Sequence, residues 1–320
     1  MRNIYCIGET VLDIIFKDGK LLAARPGGSM LNSAVSLGKS GIQVHLISDF
    51  AADHAGNMIE CFLRENGVDT RYIDRFTDGK TAVSLAFLDG SNNADYTFFR
   101  LFPKTRLNLL LPDPVQGDIV LFGSFFSLDK CVRSKVIRFI RKARNSGALV
   151  IYDPNFRKPH LKELPGLLPH ILENISLADI VRGSDEDFIH IFGVRKGCEA
   201  YSKVRKAGCL MLIYTRNRKG IEVHCEKYQQ NFPVPNIKPE STIGAGDAFN
   251  AGLISGLVEL GKDGTTLEHG RWKVGRNYWK PLIERAVAYA TDVCLVLDNS
   301  ITVEFANRLK NGQMAFNIHT

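Results

Sequence analysis

Short apolar runs alternate with helical patterns along most of this chain, and that alternation limits the possible folds more than any other feature. Residues 4–7, 44–47, 119–122, 149–152, 179–181 and 210–214 form runs typical of buried strands. Between them, residues 29–37, 55–65 and 130–144 carry apolar side chains at helical spacing. Strands separated by helices pair in parallel, so the pattern predicts an α/β fold, a mostly parallel central sheet with helices on both faces.

One region departs from this pattern. From residue 81 to residue 101 the apolar side chains recur with period two, as in Val83, Leu85 and Phe87, and the turn-like residues 89–93 divide the segment. This predicts an antiparallel hairpin rather than a strand–helix–strand unit. A hairpin inserted in an α/β fold is typical of a lid or an oligomer contact, and a plain edge hairpin is the alternative.

The composition bounds the class of protein. The chain has 320 residues, 45% hydrophobic and 23% charged, which fits one large α/β domain or a core with a smaller accessory domain. Its seven cysteines are scattered and never spaced C-x-x-C, so they indicate reduced thiols, not a zinc site or a disulfide framework. Glu9 and Asp13 interrupt the early apolar run, and no apolar stretch reaches the roughly 20 residues of a membrane span. We expect a soluble cytoplasmic protein without membrane partners.

The net charge of +7 is weak evidence for a nucleic-acid partner. Residues 261–280 interleave basic and aromatic side chains, a pattern that can bind single-stranded nucleic acid. No nucleic-acid-binding motif accompanies this stretch. We therefore expect a surface loop whose aromatic residues pack back on the body, and no nucleic acid as partner.

The run from Ser241 to Gly252 carries the strongest chemical signal. Gly244, Ala245 and Gly246 lie just before an apolar, helix-like segment (248–260), and Asp247 follows at once. Glycines at this place let backbone N–H groups point at an anion, which the helix dipole also attracts. An aspartate beside such an anion site is suited to accept a proton. The run indicates phosphoryl transfer to a hydroxyl, and the alternative is a helix N-terminus with a capping aspartate.

Further polar groups follow predicted strands or open predicted helices. They are Asp13 after the first strand; Gly27 and Gly28 with Asn32 one turn later; Asn155 and Arg157 in the Asp153–Arg157 segment; and Ser184 to Asp187 at a helix start. Each has an ordinary alternative, such as a turn, a polar loop residue or a capped acidic first turn. Their shared position predicts that they line one edge of one sheet, where parallel sheets bind ligands.

The order of these motifs resembles the ribokinase-like carbohydrate kinases, the PfkB family, over nearly the whole chain. The resemblance implies a ribokinase-like three-layer sandwich with a small β-sheet lid. Residues 1–12, 26–72 and 104–320 would form the core, and residues 13–25 and 73–103 the lid. The sugar would lie under the lid, with ATP and Mg²⁺ across the sheet edge.

The resemblance also implies a role for each matching residue. Asp247 would be the catalytic base, with Gly244, Ala245 and Gly246 as the anion hole. The sugar side would comprise Asp13, Gly27, Gly28, Asn32 and Arg100, with Asn155 and Arg157 between sugar and phosphates. The nucleotide side would comprise Ser184, Thr215, Asn217, Gly220, Gly244 and Gly246, and Asp187 would orient magnesium.

The chain departs from the family pattern at several positions. Ser241 stands where the family usually has an aspartate tied to the monovalent-cation loop, which puts activation by K⁺ in doubt. Asn217 replaces a glycine, and we expect it to adopt a left-handed backbone. Ser184 replaces an asparagine and Asp187 is a shortened glutamate. Asn299 and Ser300 replace Gly-Ala near the adenine pocket, which predicts modest nucleotide affinity or a relaxed purine preference.

The hairpin looks most like that of the fructokinase branch, so fructose is the leading acceptor and a homodimer through the lid is expected. Ribose, 2-keto-3-deoxygluconate and nucleosides remain alternatives. A dinucleotide-dependent oxidoreductase is disfavoured because the first strand leads into Gly8-Glu9-Thr10 rather than G-x-G-x-x-G. The rival outside enzymes is a sugar- or nucleotide-sensing protein that kept the fold but transfers little or no phosphate.

Overall fold

A large central sheet and a smaller separate sheet organise the chain. The computed structural model describes residues 2–89, 94–261, 265–268 and 270–314. The strands are β1 (Ile4–Ile7), β2 (Val11–Lys17), β3 (Lys20–Gly27), β4 (Val44–Ala51), β5 (Val68–Asp69), β6 (Ile73–Phe76), β7 (Lys80–Leu88), β8 (Ala94–Leu101), β9 (Ile119–Gly123), β10 (Leu149–Asp153), β11 (Ile180–Ser184), β12 (Met211–Thr215), β13 (Ile221–Cys225), β14 (Tyr228–Phe232), β15 (Thr265–Glu268) and β16 (Arg271–Val274). The α-helices are α1 (Ser29–Lys39), α2 (His54–Glu65), α3 (Arg133–Asn145), α4 (Leu164–Leu177), α5 (Asp185–Phe192), α6 (Gly197–Lys206), α7 (Ala245–Leu260), α8 (Trp279–Cys294) and α9 (Val303–Lys310).

The central sheet has the strand order β14-β13-β12-β11-β10-β9-β1-β4-β5, and β6 also pairs with β4. Its strands are parallel except β13, which runs antiparallel to both β12 and β14. One apolar cluster packs α1, α7 and α8 on one face, and a second packs α3, α4 and α6 on the other. The predicted mostly parallel sheet covered on both faces is therefore confirmed.

The predicted strands are present, and several extend further at their carboxyl ends. β9 reaches Gly123, β10 reaches Asp153, β11 reaches Ser184 and β12 reaches Thr215. These additions bring polar residues to the same edge of the sheet, because parallel strands end side by side. The predicted helix at 248–260 begins earlier, at Ala245, so Gly246 and Asp247 lie inside its first turn.

The smaller sheet has the order β3-β2-β7-β8. Its β7 and β8 form the predicted antiparallel hairpin, although residues 90–93 of the predicted turn lie outside the described residues. Asp13 follows the first strand, as predicted, but it is not an ordinary loop residue, which was the alternative. It lies within β2, where it is paired with Arg25 of β3 and Ser84 of β7, because the apolar residues around it build this second sheet.

The basic and aromatic stretch contains a hairpin, β15 with β16, rather than a loop. Both tryptophans are buried, as expected of side chains that pack back on the body. The indole of Trp272 donates to the carbonyl of Gly147 at 3.1 Å, and that of Trp279 to the hydroxyl of Tyr228 at 3.0 Å. Among the described helices, none has the length and apolar content needed to cross a membrane.

Candidate active site

Asp247 is held at the start of α7 by two side chains from α1. The Ser29 hydroxyl donates to Asp247 Oδ1 at 2.6 Å, and the Asn32 amide donates to Oδ2 at 2.8 Å. The Ser33 hydroxyl donates to the backbone carbonyl of Asp247 at 2.9 Å. These bonds fix the carboxylate between the two helix starts that the sequence singled out.

Burial sets the proton affinity of this carboxylate. Burial raises the pKa of Asp247 to about 6, against the opposing effects of the Ser29 and Asn32 hydrogen bonds and the positive charge of Arg157. A carboxylate with this pKa is ionised near pH 7 and holds a proton more firmly than an exposed one does. These are the properties of a general base.

The turn before α7 is the place where the sequence predicts an anion site. Gly244 caps the helix with φ +80°, a left-handed conformation, and lies directly against the backbone of Asn299. The N–H groups of the first helical turn have no carbonyl partner within the helix. The N–H of Ala245 already donates to the carbonyl of Thr242 at 3.3 Å, so an anion here would meet the N–H groups of Gly246 and Asp247 and the positive end of the helix dipole.

The two glycines before α1 are required by close contacts. Gly28, with φ +127°, caps α1, and a side chain there would overlap the carbonyl of Glu9. A side chain at Gly27 would overlap the carboxylate of Asp13. Asp13 accepts a hydrogen bond from the Ser84 hydroxyl, and burial raises its pKa to about 6. Asp13 of the smaller sheet thus lies next to Gly27, just before α1.

A second buried acid, Asp153, organises the middle of the sheet edge. It accepts hydrogen bonds from Arg182 at 3.0 Å and from the Asn250 amide at 2.6 Å. Arg182 also donates to the Thr215 hydroxyl at 3.1 Å. Neither Arg182 nor Asn250 was singled out from the sequence. Arg182 could have been noticed as a charged residue next to an apolar strand run, whereas no sequence pattern marks Asn250.

Asn155 and Arg157 follow β10 beside this cluster. Asn155 has φ +38°, a strained value for a residue other than glycine, and its N–H donates to Asp153 at 3.0 Å. Arg157 is exposed and lies close enough to Asp247 to lower its pKa. The two residues thus lie near the buried carboxylates Asp153 and Asp247, and their position between sugar and phosphates stays a prediction.

Arg100 bridges the smaller sheet and the core. Its guanidinium lies 3.5 Å from Glu9 and stacks over the rings of Phe98 and Phe125, with centroids 4.7 and 5.7 Å away. A cavity of about 40 Å³ lies between this arginine and the loops after β9 and β10. Arg100 thus faces Asn155 and Arg157 across the gap between the two sheets.

Asp187 forms a capping box at the start of α5. Its carboxylate accepts from the N–H and hydroxyl of Ser184 at 2.7 and 2.6 Å, and from the N–H of Phe156 at 2.7 Å. The ordinary alternative, a capped acidic first turn, is thus part of what this residue does. Within the described ranges, no group of three or more His, Cys, Asp or Glu residues could hold a metal ion.

The loop after β12 carries the predicted left-handed asparagine. Asn217 has φ +47°, which confirms the expectation for a residue in a glycine's place. Gly220, with φ +92°, lies against the carbonyl of Phe232. Gly220 thus lies beside the end of β14, whereas Thr215 ends β12 between β11 and β13.

An apolar groove of about 840 Å³ runs along α8 from the end of β14. Its walls include Pro233, Val234, Val287, Ala288 and Leu295. The segment that leaves this groove bonds to the end of α8, where the N–H of Glu240 donates to the carbonyl of Cys294 at 2.9 Å. The same segment continues to the Gly244 turn, so the groove and that turn are joined by one short stretch of chain.

The loop after α8 supports the anion turn, because Asn299 packs on Gly244. Two cations hold this loop. The Lys39 ammonium donates to the Ser300 hydroxyl at 3.0 Å and to the carbonyl of Ile301 at 2.9 Å, and Arg25 of β3 donates to the carbonyl of Leu297. Ser241 is buried, and its hydroxyl accepts from the N–H of Ile243 at 3.1 Å.

Comparison with known proteins agrees with this geometry. The model of the pfkB family of carbohydrate kinases matches residues 1–270. Probable fructokinase-5 of Arabidopsis thaliana is 27% identical over 279 residues, which are 83% of this chain and 85% of the relative. Aminoimidazole riboside kinase of Salmonella typhimurium is 25% identical over 260 residues, 79% of this chain and 80% of the relative.

Among solved structures, the fructokinase of Vibrio cholerae O395 with fructose, ADP and calcium bound has a TM-score of 0.81 at 20% identity, over 97% of this chain and 99% of that one. At that identity the likeness shows the fold. The family match covers most of the chain and includes the Asp247 turn. The chain belongs to the pfkB family of carbohydrate kinases and is an ATP-dependent sugar kinase.

Proposed function

We propose that this kinase phosphorylates fructose, with Asp247 as the base that takes the proton from the attacking hydroxyl. The observation that carries the proposal is the position of the Asp247 carboxylate. It is bonded to Ser29 and Asn32 at the glycine-rich α1 entry, and it lies in the first turn of the helix whose N-terminus forms the anion site. A hydroxyl bound at one helix start would be next to a phosphoryl group bound at the other.

In this proposal some residues of the site orient Asp247 and the acceptor, and others stabilise the charge on the transferred group. Ser29 and Asn32 stabilise the ionised form of Asp247 and aim it, while the free N–H groups at Gly246 and Asp247 face the transferred group. Asp13, Asn32, Asn155 and Arg100 would bind the acceptor. Arg157 would lie between the acceptor and the phosphates, where positive charge favours phosphoryl transfer.

The nucleotide would lie along the sheet edge, with its base in the apolar groove beside α8 and its phosphates near Ser184, Thr215, Asn217 and Gly220. The residues fit an incoming Mg²⁺ that keeps water ligands and binds mainly to phosphate, because Asp187 already accepts three hydrogen bonds. Magnesium would supply positive charge on the phosphates. Such a kinase would work where ATP is available, and we place it in the cytoplasm.

The smaller sheet would act as the lid, comprising residues 13–25 and 73–103. The cavity between Arg100 and the core is smaller than a hexose, so the sheet would shift outward to admit an acceptor. The outer face of the sheet is apolar and exposed at Leu21, Phe87 and Phe99. We include in the proposal a homodimer that buries this face.

Fructose is favoured by the relatives that carry the name fructokinase. A nucleoside-like acceptor is the second candidate, because aminoimidazole riboside kinase is similar over a comparable length. Both acceptors offer a primary hydroxyl next to a five-membered ring, which the same base can deprotonate.

The test is release of ADP from ATP and Mg²⁺ with fructose, tagatose, ribose, 2-keto-3-deoxygluconate and aminoimidazole riboside, each against an acceptor-free control. We expect kcat/KM to be highest for fructose by at least about tenfold, the factor that one lost hydrogen bond of ordinary strength produces. A higher value for another acceptor would replace fructose. If no compound gave ADP release above the acceptor-free control, the sensing protein would be favoured over the kinase.

A further inference from the structure

Arg182 is a buried arginine with more hydrogen-bond donors than partners. It is the middle residue of β11, and its side chain is 10% exposed. Nη1 donates to Asp153 at 3.0 Å and Nη2 donates to Thr215 at 3.1 Å. Nε is buried and has no acceptor among the described residues. A guanidinium has five N–H donors, and these two bonds use two of them.

The same guanidinium lies against the anion turn. A Cβ atom built on Gly246 would lie 2.8 Å from Nη1 and 3.2 Å from Nη2 of Arg182. Glycine at position 246 therefore leaves room for the arginine next to the first turn of α7. Backbone N–H groups of that turn and the spare donors of Arg182 converge on one small region.

A purely structural role would explain only part of this arrangement. Replacing a buried ion pair by apolar residues is often neutral for stability, and a buried donor without a partner destabilises the folded state. The ion pair alone therefore gives little reason for an arginine whose Nε has no acceptor. Arginine stays charged at all relevant pH values and matches phosphate oxygens with its planar fork. Asp153, itself held by Asn250, fixes the orientation of that fork.

We propose that Arg182 is a catalytic residue that binds the terminal phosphoryl group of the nucleoside triphosphate during transfer. The phosphorus–oxygen bond to the nucleotide breaks, the bond to the acceptor oxygen forms, and the acceptor proton goes to Asp247. Arg182 forms no covalent bond and gives up no proton; it donates hydrogen bonds to oxygens whose negative charge changes. The proposal rests on the phosphates lying at the start of α7, as in the proposed function.

The decisive variant is Arg182→Met with Asp153→Asn, which removes both charges and leaves no buried carboxylate unpaired. We expect kcat to fall at least about 10²-fold, as for loss of one preorganised donor. Inhibition by ADP with aluminium fluoride, which mimics the transferred group, should weaken at least about tenfold. The affinities of the double variant for adenosine, which has no phosphate, and for the sugar should stay within about threefold of the wild type. The matched control is Arg133→Met, which removes another buried arginine, paired with Glu173. Its affinities for adenosine and the sugar should also stay within about threefold.

Arg182→Lys keeps the positive charge and the ion pair with Asp153 but lacks the planar guanidinium. If the double variant does not fold, this variant tests the proposal. We expect it to lose about tenfold in kcat with unchanged thermal unfolding. The proposal is wrong if either folded variant binds ADP with aluminium fluoride as tightly as the wild type. That failure would leave the proposed function standing as long as kcat of Asp247→Asn falls at least about 10²-fold.

Discussion

At the level of single residues, burial and two hydrogen bonds determine what Asp247 can do. Burial raises its pKa to about 6, and the donors Ser29 and Asn32 limit that rise. The base must be ionised to accept a proton, so kcat/KM should fall as the pH drops through about 6 and level off above it. The measurement is the pH profile of kcat/KM with saturating ATP and Mg²⁺.

Burial raises the pKa of Asp13 to a similar value, so Asp13 could also produce the fall in kcat/KM at low pH. The pH profile of Asp13→Asn is the control, and the fall should persist in this variant if Asp247 causes it.

Ser29 gives a sharper test of the same assignment. The Ser29→Ala variant loses a hydrogen bond to the ionised carboxylate, which should raise the pKa of Asp247 and move the acid limb upward by about one pH unit. Ser33→Ala is the matched control, because Ser33 binds the backbone carbonyl of Asp247 and not its carboxylate. An unchanged acid limb in Ser29→Ala, or an equal shift in Ser33→Ala, would contradict the assignment.

The sequence singled out most residues of the candidate site, but it did not predict their contacts. Asp247 and the glycines were recognisable from their local pattern. The bonds of Ser29 and Asn32 to Asp247 join residues 218 and 215 positions apart, and no local pattern contains that information. Arg182 was missed for the same reason, since its partners Asp153 and Thr215 lie on other strands.

At the level of elements, the loop after α8 explains how the anion turn could keep its shape without a bound potassium ion. Lys39 binds Ser300 and the carbonyl of Ile301, and lies 4.0 Å from Asp298. Arg25 binds the carbonyl of Leu297 on the same loop. Fixed cations already occupy loop oxygens, and Ser241 brings no carboxylate, so these residues do not favour a monovalent-cation site.

We therefore expect wild-type kcat/KM to change less than about twofold between K⁺ and tetramethylammonium buffers of equal ionic strength. Lys39→Met should lower kcat/KM for ATP about tenfold, because removing a buried hydrogen-bonded charge disturbs the loop under Gly244. Lys310→Met, on α9, serves as a surface control. Activation of the wild type by K⁺ of more than fivefold would show that the fixed cations do not replace the ion.

The uniformly apolar strands of the central sheet and the helices α1, α2 and α3 were predicted from the sequence, whereas β2 and the long helices α4 and α8 were not. The buried strands of the central sheet were found because they are uniformly apolar. β2 was missed because its residues 11–17 mix inward and outward apolar side chains around Asp13, so no clean alternation marks it. The start of α7 was placed three residues late, because glycines favour a turn locally and only the packing of Gly244 on Asn299 shows the helix beginning there.

At the level of the whole molecule, the smaller sheet has two different faces. Asp13 and Ser84 lie on the inner face, while the outer face carries Phe87 and Phe99, which are 46% and 56% exposed. Phe87 stacks on Phe16 of β2 with ring centroids 5.2 Å apart. An exposed apolar face of this kind is typical of a protein interface.

We expect the wild type to be a dimer at micromolar concentration in size-exclusion chromatography with light scattering. Phe99→Asp should give a monomer, because a charge at a buried apolar contact is costly. Leu110→Asp is the control, since Leu110 is 92% exposed on the core, away from this sheet. A monomeric wild type, or a dimer that persists in Phe99→Asp, would exclude this interface.

The fold class was predictable from the whole chain, because strand–helix alternation leaves few arrangements. The acceptor was less predictable, because in the proposed site it would be bound by side chains from separate elements, such as Arg100 and Asn155, which line one cavity.

The central claim is that Asp247 removes the proton from an acceptor hydroxyl at the start of α7. The most direct measurement is acceptor-dependent ADP release by Asp247→Asn beside the wild type, with sugar affinity measured by calorimetry. We expect kcat to fall at least about 10²-fold while sugar affinity stays within about threefold. A kcat within a few-fold of the wild type would contradict the claim and remove Asp247 from the role of base.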